Sequence, residues 1–313
     1  MKATEKQSAD YIEPLIINGL HGRVLRMPAN RKKYANRDIL MLYGIHSSIE
    51  RMFGIVQNTA DFGTVTMPDL PGFGGMDSLY MLGQSATVDA MADYLATFIK
   101  LRYKKRRFTI IAMSYGFVVA TRMLQKYPQI AKQVDLCVSL AGLTDKSEFI
   151  VPKKTYNMWR FLAWLFDGRV RAWIFRYIIL QPIFIKSIYL VQAKSHPKMV
   201  GADKQELMKR VNFEVYLWHA NDVRTYMKVT RDLLGLQLPV EPAKAPVLHI
   251  SIDTDQYIDH SLVETHLKAI YESVTIAKAH MPNHAPTVIS TKAEAAPFIP
   301  KQARQALGRL PKA

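Results

Sequence analysis

The sequence predicts an α/β protein with a mostly parallel central sheet and helices on both faces of that sheet. Short apolar runs alternate with stretches whose apolar residues recur at helical spacing. The strand-like runs are apolar throughout, which is typical of strands buried on both faces of a parallel sheet. The alternation stops at about residue 145 and resumes after residue 240, so a helical insertion interrupts one sheet.

The predicted elements follow from these patterns in chain order. Residues 15–18 and 23–26 flank Gly19 and Gly22, which predicts a hairpin. Further strands are predicted at residues 38–44, 63–67, 108–113, 134–140, 247–252 and 274–277. Helices are predicted at residues 87–103, 117–126 and 261–273, and the final helix lies within residues 287–307.

The same pattern divides the chain into three parts. Residues 1–144 and 241–313 are predicted to be the two parts of one α/β core, and residues 145–240 are the helical insertion, which follows the sixth strand. The insertion is aromatic and basic and contains all four tryptophans of the chain, Trp159, Trp164, Trp173 and Trp218.

Composition limits the classes of function. The 313 residues are 49% hydrophobic, which is enough for a large core, and the net charge is +16. Such a charge favours anionic partners, although it is not gathered into one long run. No nucleic-acid-binding motif accompanies it, so no nucleic-acid partner is predicted.

Cysteine use and hydropathy predict a cytoplasmic protein. The first ten residues are polar, and Cys137, which lies in an apolar run, is the single cysteine of the sequence. One thiol forms no internal disulfide and no cysteine-based metal site. The most apolar region, residues 159–193, is interrupted by charged residues, so no transmembrane segment is predicted.

A single serine lies between a predicted buried strand and a helix. Ser114 occurs in the segment AMSYG, where Ala112 and Gly116 are the small residues that a sharp strand–turn–helix junction needs. Such a turn would expose the hydroxyl at the sheet edge as a nucleophile. The structural alternative is a serine that caps the helix N-terminus.

A serine nucleophile requires a base, and the base requires an orienting carboxylate. The strand at residues 247–252 is followed by Asp253 and Asp255, and the strand at 274–277 is followed by His280 and His284. Their order in the chain is Ser, Asp, His. The alternative is that both histidines only pack against the core.

Four segments in this order resemble the α/β-hydrolase family, over nearly the whole chain. They are LYGIHSS, MPDLPGFGGMD, AMSYG and the final DTD…NHAP. The resemblance implies the α/β-hydrolase fold, a Ser-His-acid triad at the carboxyl edge of the sheet and a lid formed by the helical insertion. By this resemblance Ser114 matches the nucleophile, Asp255 the acid and His284 the base. Asp253 is the second choice for the acid, and His280 is expected to pack at its strand end.

The resemblance also implies two backbone donors for an oxyanion hole. Tyr115 follows the nucleophile directly, and Ile45 follows Tyr43-Gly44, where the family usually has His-Gly. Asp69 matches a position that shapes a turn in the family. No metal ligand set and no cofactor are predicted.

The function expected from the sequence is ester hydrolysis of the carboxylesterase or lipase type. The apolar insertion favours a lipophilic ester, cleaved through an acyl-enzyme. Carbon–carbon bond hydrolases and cofactor-free haloperoxidases of the same fold use the same serine. A further alternative is a non-catalytic binding protein, or a peripheral membrane protein whose basic, aromatic insertion contacts an anionic membrane surface.

Overall fold

A computed structural model describes residues 7–194, 199–280, 284, 286 and 291–310. The strands are β1 (Ile12–Ile17), β2 (Leu20–Met27), β3 (Asp38–Leu42), β4 (Thr64–Pro68), β5 (Phe108–Met113), β6 (Val134–Leu140), β7 (Val247–Ile252) and β8 (Val274–Ala279). They form one sheet in the order β1-β2-β4-β3-β5-β6-β7-β8. β1 and β2 pair antiparallel, β2 pairs antiparallel with β4, and the other neighbours are parallel.

Helices surround this sheet. They are α1 (Ile49–Thr59), α2 (Val88–Tyr103), α3 (Tyr115–Lys126), α4 (Pro128–Ala131), α5 (Lys153–Phe166), α6 (Arg169–Ile174), α7 (Pro182–Val191), α8 (Lys204–Ala220), α9 (Val223–Leu233), α10 (His260–Ile270) and α11 (Lys301–Arg309). A π-helical segment, Phe175–Ile179, continues α6. The mostly parallel α/β architecture predicted from the sequence is confirmed.

The predicted boundaries agree best for the central strands. β5 and β6 have the predicted bounds, and every residue of β4, β5 and β7 is buried. α3 begins two residues earlier than predicted, at Tyr115, directly after Ser114. The last helix occupies Lys301–Arg309, and residues 287–290 of its predicted range lie outside the described residues.

The helical insertion, residues 145–240, contains α5 to α9 and lies between β6 and β7. It has an apolar cluster of its own, centred on the buried residues Ala172, Leu180, Ile185, Val223 and Met227. Among the described residues, no single helix is long and apolar enough to cross a membrane. Two helical segments, Arg169–Ile179 and Pro182–Val191, are long and apolar enough only when taken together, and the chain bends by 76° between them.

Candidate active site

Ser114 occupies a strained turn between β5 and α3. Its φ of 49° and ψ of −121° are unusual for a residue with a side chain. Although Ser114 is formally the N-cap of α3, its side chain makes no capping hydrogen bond. The capping alternative therefore does not describe this hydroxyl.

The turn requires a residue without a side chain at position 116. A Cβ on Gly116 would lie 2.6 Å from the Tyr43 carbonyl oxygen and 3.0 Å from Leu42. Ala112, on the other side of Ser114, is fully buried. The close approach of α3 to the end of β3 thus explains why small residues flank the serine.

Replacing Gly116 by alanine is expected to lower the free energy of unfolding by about 1–3 kcal/mol, because backbone atoms must move to admit the methyl group. Urea denaturation measures this. The matched control is Gly308→Ala in α11, where the nearest atom to a new Cβ is 4.0 Å away. That control is expected to raise stability by up to about 1 kcal/mol. Equal effects of the two substitutions would contradict this explanation of the turn.

The loop after β3 lies directly against Ser114. A Cβ on Gly44 would be 3.0 Å from Ser114 Cβ and 3.5 Å from Ser114 Oγ. Tyr115 is the first residue of α3, so its N–H has no intrahelical acceptor. Neither Tyr115 N–H nor Ile45 N–H donates a hydrogen bond to another described residue. Both backbone donors that the resemblance implies are therefore without an acceptor among the described residues, as an oxyanion hole requires.

Asp69 has the contacts of a structural residue. Its buried carboxylate accepts hydrogen bonds from Arg23 Nε at 2.9 Å and from the Tyr43 hydroxyl at 2.7 Å. The Tyr43 oxygen in turn accepts from the Leu70 N–H at 3.1 Å. Asp69 thereby ties the loop after β4 to the end of β3, beside the Gly44 turn.

The four candidate acid and base residues form two separate pairs. His284 Nδ1 lies 2.7 Å from Asp255 Oδ2, and the Asp255 side chain is fully buried. His280 Nδ1 lies 3.2 Å from Asp253 Oδ1, and the His280 side chain is 77% exposed. His280 was expected to pack at its strand end. That expectation is wrong, because β8 is an edge strand whose last residues alternate between buried and exposed positions.

Ser114 and the Asp255–His284 pair follow strands of the same orientation. β5 and β7 both pair parallel with β6, so their carboxyl ends lie at one edge of the sheet. No hydrogen bond links Ser114 Oγ to His284 among the described residues. Catalytic hydrogen bonds are often long in the absence of substrate.

Asp255 is held by four hydrogen bonds. Its Oδ1 accepts from the backbone N–H groups of Tyr257 and Ile258, at 2.9 and 3.3 Å. Its Oδ2 is shared by His284 and by His260 Nε2, the latter at 3.1 Å. Burial alone would raise the pKa of Asp255, but the bonds from His260 and His284 outweigh it and hold the pKa well below its usual range.

A buried chain of side chains continues behind His260. His260 Nδ1 lies 3.1 Å from His249 Nε2, and His249 Nδ1 lies 2.9 Å from Ser139 Oγ. His249 and Ser139 are fully buried, on β7 and β6. Burial and the neighbouring His260 lower the pKa of His249 to about 3, so this imidazole is neutral.

His249 is expected to make the protein sensitive to moderate acid. A histidine with a lowered pKa binds fewer protons when folded than when unfolded, where its pKa is about 6.5. Its stabilising contribution is therefore complete above about pH 6.5 and is lost as the pH falls toward 3. Between pH 7.5 and pH 5 the loss is about 2 kcal/mol.

Denaturant unfolding of wild type and His249→Asn at these two pH values measures that loss. The variant is expected to be less stable overall but to lose about 2 kcal/mol less on acidification. An equal loss in both proteins would show that His249 does not titrate as described.

A second buried cluster ties the helical insertion to the loop beside Ser114. Glu214 of α8 accepts a hydrogen bond from Arg51 Nη2 at 2.5 Å and lies 3.1 Å from His46 Nε2. Glu214 is fully buried. The His46 ring also packs against Trp218 and Tyr226, at centroid distances of 4.6 and 5.2 Å. His46 directly follows Ile45, so the insertion and the proposed oxyanion loop share these contacts.

Sequence reasoning did not find the partners of Asp255 and of the oxyanion loop. One signal for the side chains behind Asp255 was present in the sequence, since His249 is the one ionisable residue in the apolar run VLHISI. No local pattern marked Glu214, whose partner Arg51 is 163 positions away. In the described ranges, no cluster of His, Cys, Asp and Glu could hold a metal ion.

Comparison with solved structures decides the fold family. A membrane phospholipase A, described as a bacterial virulence factor, matches with 17% identity and a TM-score of 0.62, covering 95% of this chain and 84% of its own. A carboxylesterase of the thaumarchaeon Nitrososphaera gargenis matches with 14% identity and a TM-score of 0.62, covering 94% of this chain and 96% of its own. The chain has the α/β-hydrolase fold. The α/β-hydrolase enzyme MGS-M2, from a deep-sea metagenome library, also matches, with 16% identity, a TM-score of 0.61 and coverage of 92% and 96%.

No protein-family model matches this chain, and no curated protein matches it in sequence. Its structural neighbours also include an epoxide hydrolase, at 12% identity. One α/β-hydrolase fold therefore carries several chemistries among these neighbours, and the reaction must be argued from the site of this chain.

Proposed function

We propose that the chain is a serine hydrolase that cleaves carboxylic esters with apolar acyl groups. The observation that carries the proposal is the contact of His284 with the fully buried carboxylate of Asp255, at 2.7 Å, at the sheet edge that also holds Ser114. The uncapped Ser114 hydroxyl in its strained turn supports it. The carboxylesterase and phospholipase A among the structural neighbours make an ester the favoured substrate class.

In the first half-reaction Ser114 Oγ attacks the ester carbonyl carbon. His284 Nε2 takes the serine proton, while Asp255 accepts the hydrogen bond from His284 Nδ1–H and stabilises the imidazolium that forms. The N–H groups of Tyr115 and Ile45 donate to the oxyanion. Collapse of the tetrahedral intermediate breaks the ester C–O bond, and His284 gives its proton to the leaving alcohol.

In the second half-reaction water cleaves the acyl-enzyme. His284 Nε2 now takes a proton from water, and the resulting hydroxide attacks the acyl carbonyl. The same two N–H groups stabilise the second oxyanion. Collapse releases the carboxylic acid, and the proton on His284 returns to Ser114 Oγ.

The apolar substrate and the role of the insertion belong to the same proposal. Residues 145–240 would act as a lid, since Glu214 and Trp218 contact His46 beside the oxyanion loop. Their large apolar side chains favour a lipophilic acyl group over a sugar or a peptide. We also propose that the protein is cytoplasmic and that it meets its substrate at an anionic membrane surface.

A panel of p-nitrophenyl esters from acetate to palmitate tests the proposed reaction. The wild-type protein is expected to hydrolyse them, with kcat/KM rising from acetate to the medium-chain esters. Burst kinetics would report the acyl-enzyme. A folded protein that hydrolyses none of the esters would contradict the proposal, and a preference for acetate would contradict the apolar acyl group.

A further inference from the structure

The helical insertion exposes an unusual amount of apolar surface. Among the described residues, 24 large hydrophobic side chains are exposed, and 15 of them lie between residues 158 and 191. We call these 15 the exposed apolar surface. They are Met158, Phe161, Leu162, Trp164, Val170, Trp173, Ile174, Tyr177, Ile178, Ile179, Ile183, Phe184, Ile188, Leu190 and Val191. A monomer in water rarely leaves so large a group of apolar side chains without a partner.

This surface is the outer side of helices whose inner side is already packed. Ala172, Leu180 and Ile185 are buried in the cluster that includes Val223 and Met227 of α9. The fold of the insertion therefore uses one side of α6 and α7 and leaves the other side free. The exposed side chains are consequently not explained by packing within the described chain.

The charge around this surface identifies its partner. Residues 153–191 contain seven Lys and Arg but a single acid, Asp167. Asp167 is already engaged by Arg231, at 2.7 Å. A second copy of this chain would bring like charges together, whereas an anionic bilayer offers both apolar depth and negative head groups.

The lengths and residue types of α6 and α7 fit helices that lie on a membrane surface rather than helices that span the bilayer. α6 with its π-helical continuation and α7 meet at 76° and are too short individually to cross a bilayer. The surface includes Trp164, Trp173 and Tyr177, and aromatic rings of this kind prefer the head-group region. The Arg171 guanidinium lies 5.5 Å from the Trp164 ring, so cation and aromatic ring are presented together.

We infer that the exposed apolar surface docks on anionic phospholipid membranes, with α6 and α7 lying in the interface plane. The inference rests on the proposed function in one respect, because docking would bring the ester-cleaving site to lipid substrates. The insertion that docks is the same element that contacts His46 beside the oxyanion loop.

Vesicle co-sedimentation of the Ser114→Ala variant tests the inference, because that variant separates binding from hydrolysis. The probes are phosphatidylcholine vesicles, with and without phosphatidylserine at about a third of the lipid. Binding is expected to be strong only with phosphatidylserine and to weaken in high salt.

Substitutions on the exposed apolar surface are expected to weaken this binding. The triple variant Val170→Ser, Ile183→Ser, Val191→Ser should reduce it at least about tenfold. Arg169→Gln with Arg171→Gln should reduce it about fivefold per charge.

Matched controls remove exposed apolar side chains and positive charges outside the helical insertion. Ile16→Ser, Met81→Ser and Leu101→Ser alter equally exposed side chains outside the insertion. Lys105→Gln with Lys132→Gln removes two exposed charges from the core domain. Both controls are expected to bind like the parent.

Three results would overturn docking: no sedimentation with phosphatidylserine vesicles, equal loss in the controls, or self-association through this surface in analytical ultracentrifugation. None of them would affect ester hydrolysis by the wild-type protein.

A separate observation concerns the buried chain behind Asp255. Because a carboxylate only accepts, His260 Nε2 must carry a proton toward Asp255 Oδ2. When His260 is neutral, its Nδ1 accepts from His249 Nε2–H, and His249 Nδ1 accepts from the Ser139 hydroxyl. Each hydrogen bond in this series is then donated in the direction of Asp255.

We propose that His260 is a positioning residue for the candidate triad. It fixes Asp255 Oδ2 and takes a share of the carboxylate's hydrogen-bonding capacity, which sets how strongly Asp255 acts on His284. The ionisable groups facing His260 are Asp255, His249 and the neighbouring Asp259, and Ser139 of β6 ends the chain. This inference rests on the proposed function.

The pH profile of kcat/KM tests it. His260→Leu is expected to lower kcat about tenfold with little change in KM. It should also move the acid limb to higher pH, because the Asp255 charge then acts on His284 alone. His260→Gln retains a hydrogen-bond donor, so its kcat and the position of its acid limb are expected to lie close to those of the wild type. If the wild type hydrolyses esters and neither variant moves the acid limb, His260 is not a positioning residue, and the proposed function is unaffected.

Discussion

Replacing Ser114 by alanine is expected to lower kcat for ester hydrolysis by about 10⁴- to 10⁶-fold, since it removes the nucleophile on which the acyl-enzyme depends. Among the residues that the structure describes, the Ser114 side chain makes no capping or other hydrogen bond that its loss would break. The variant should therefore fold with wild-type stability. Steady-state kinetics with the best p-nitrophenyl ester, together with thermal unfolding, measures both quantities.

The control for this prediction is Ser85→Ala, which removes an exposed hydroxyl elsewhere in the core domain. It is expected to keep wild-type kcat. Activity that survives in folded Ser114→Ala would mean that another group performs the chemistry.

Asp255→Asn is expected to lower kcat by about 10⁴-fold while leaving the fold intact. The carboxylate oxygen Oδ2 accepts from both His284 and His260, and an amide nitrogen at that position would donate instead. His284 would then carry its proton on Nε2, where it could not take one from Ser114. Steady-state kinetics of the variant and the wild type with the same ester measures this effect.

Asp253→Asn is the matched control, because in the described part of the chain this carboxylate pairs only with the exposed His280. It is expected to keep wild-type kcat. If Asp253→Asn lost activity and Asp255→Asn kept it, the assignment of the acid would be wrong.

The fold could be predicted where the sequence pattern is local and strong. β5 is an apolar run bounded by the polar residues Arg107 and Ser114, so its ends were visible in the sequence. The order of the strands in the sheet was not visible. The placement of β3 between β4 and β5 depends on contacts between distant parts of the chain.

The candidate site was predictable in its residue types and chain order, but not in its pairing. Two aspartates followed β7 and two histidines followed β8, and the resemblance favoured Asp255 and His284. The structure pairs these two, and it pairs Asp253 with His280 separately. Which of the two aspartates is buried depends on the loop geometry after β7 and β8, which no spacing in the sequence specifies.

The supporting residues of the site could not be predicted from sequence. His260 reaches Asp255 only because the turn after β7 folds back to begin α10. The contact between Glu214 and His46 requires the insertion to pack over the loop after β3. Such contacts between distant segments leave no periodic signal in either segment.

Labelling with a fluorophosphonate probe tests the activated serine most directly, with the adduct mapped by mass spectrometry. The wild type is expected to form one adduct, on Ser114. Ser114→Ala should not label, His284→Ala should label at least about 10³-fold more slowly, and His280→Ala should label like wild type. Folded wild-type protein that does not label, or that labels at another residue, would contradict a Ser114–His284–Asp255 hydrolase.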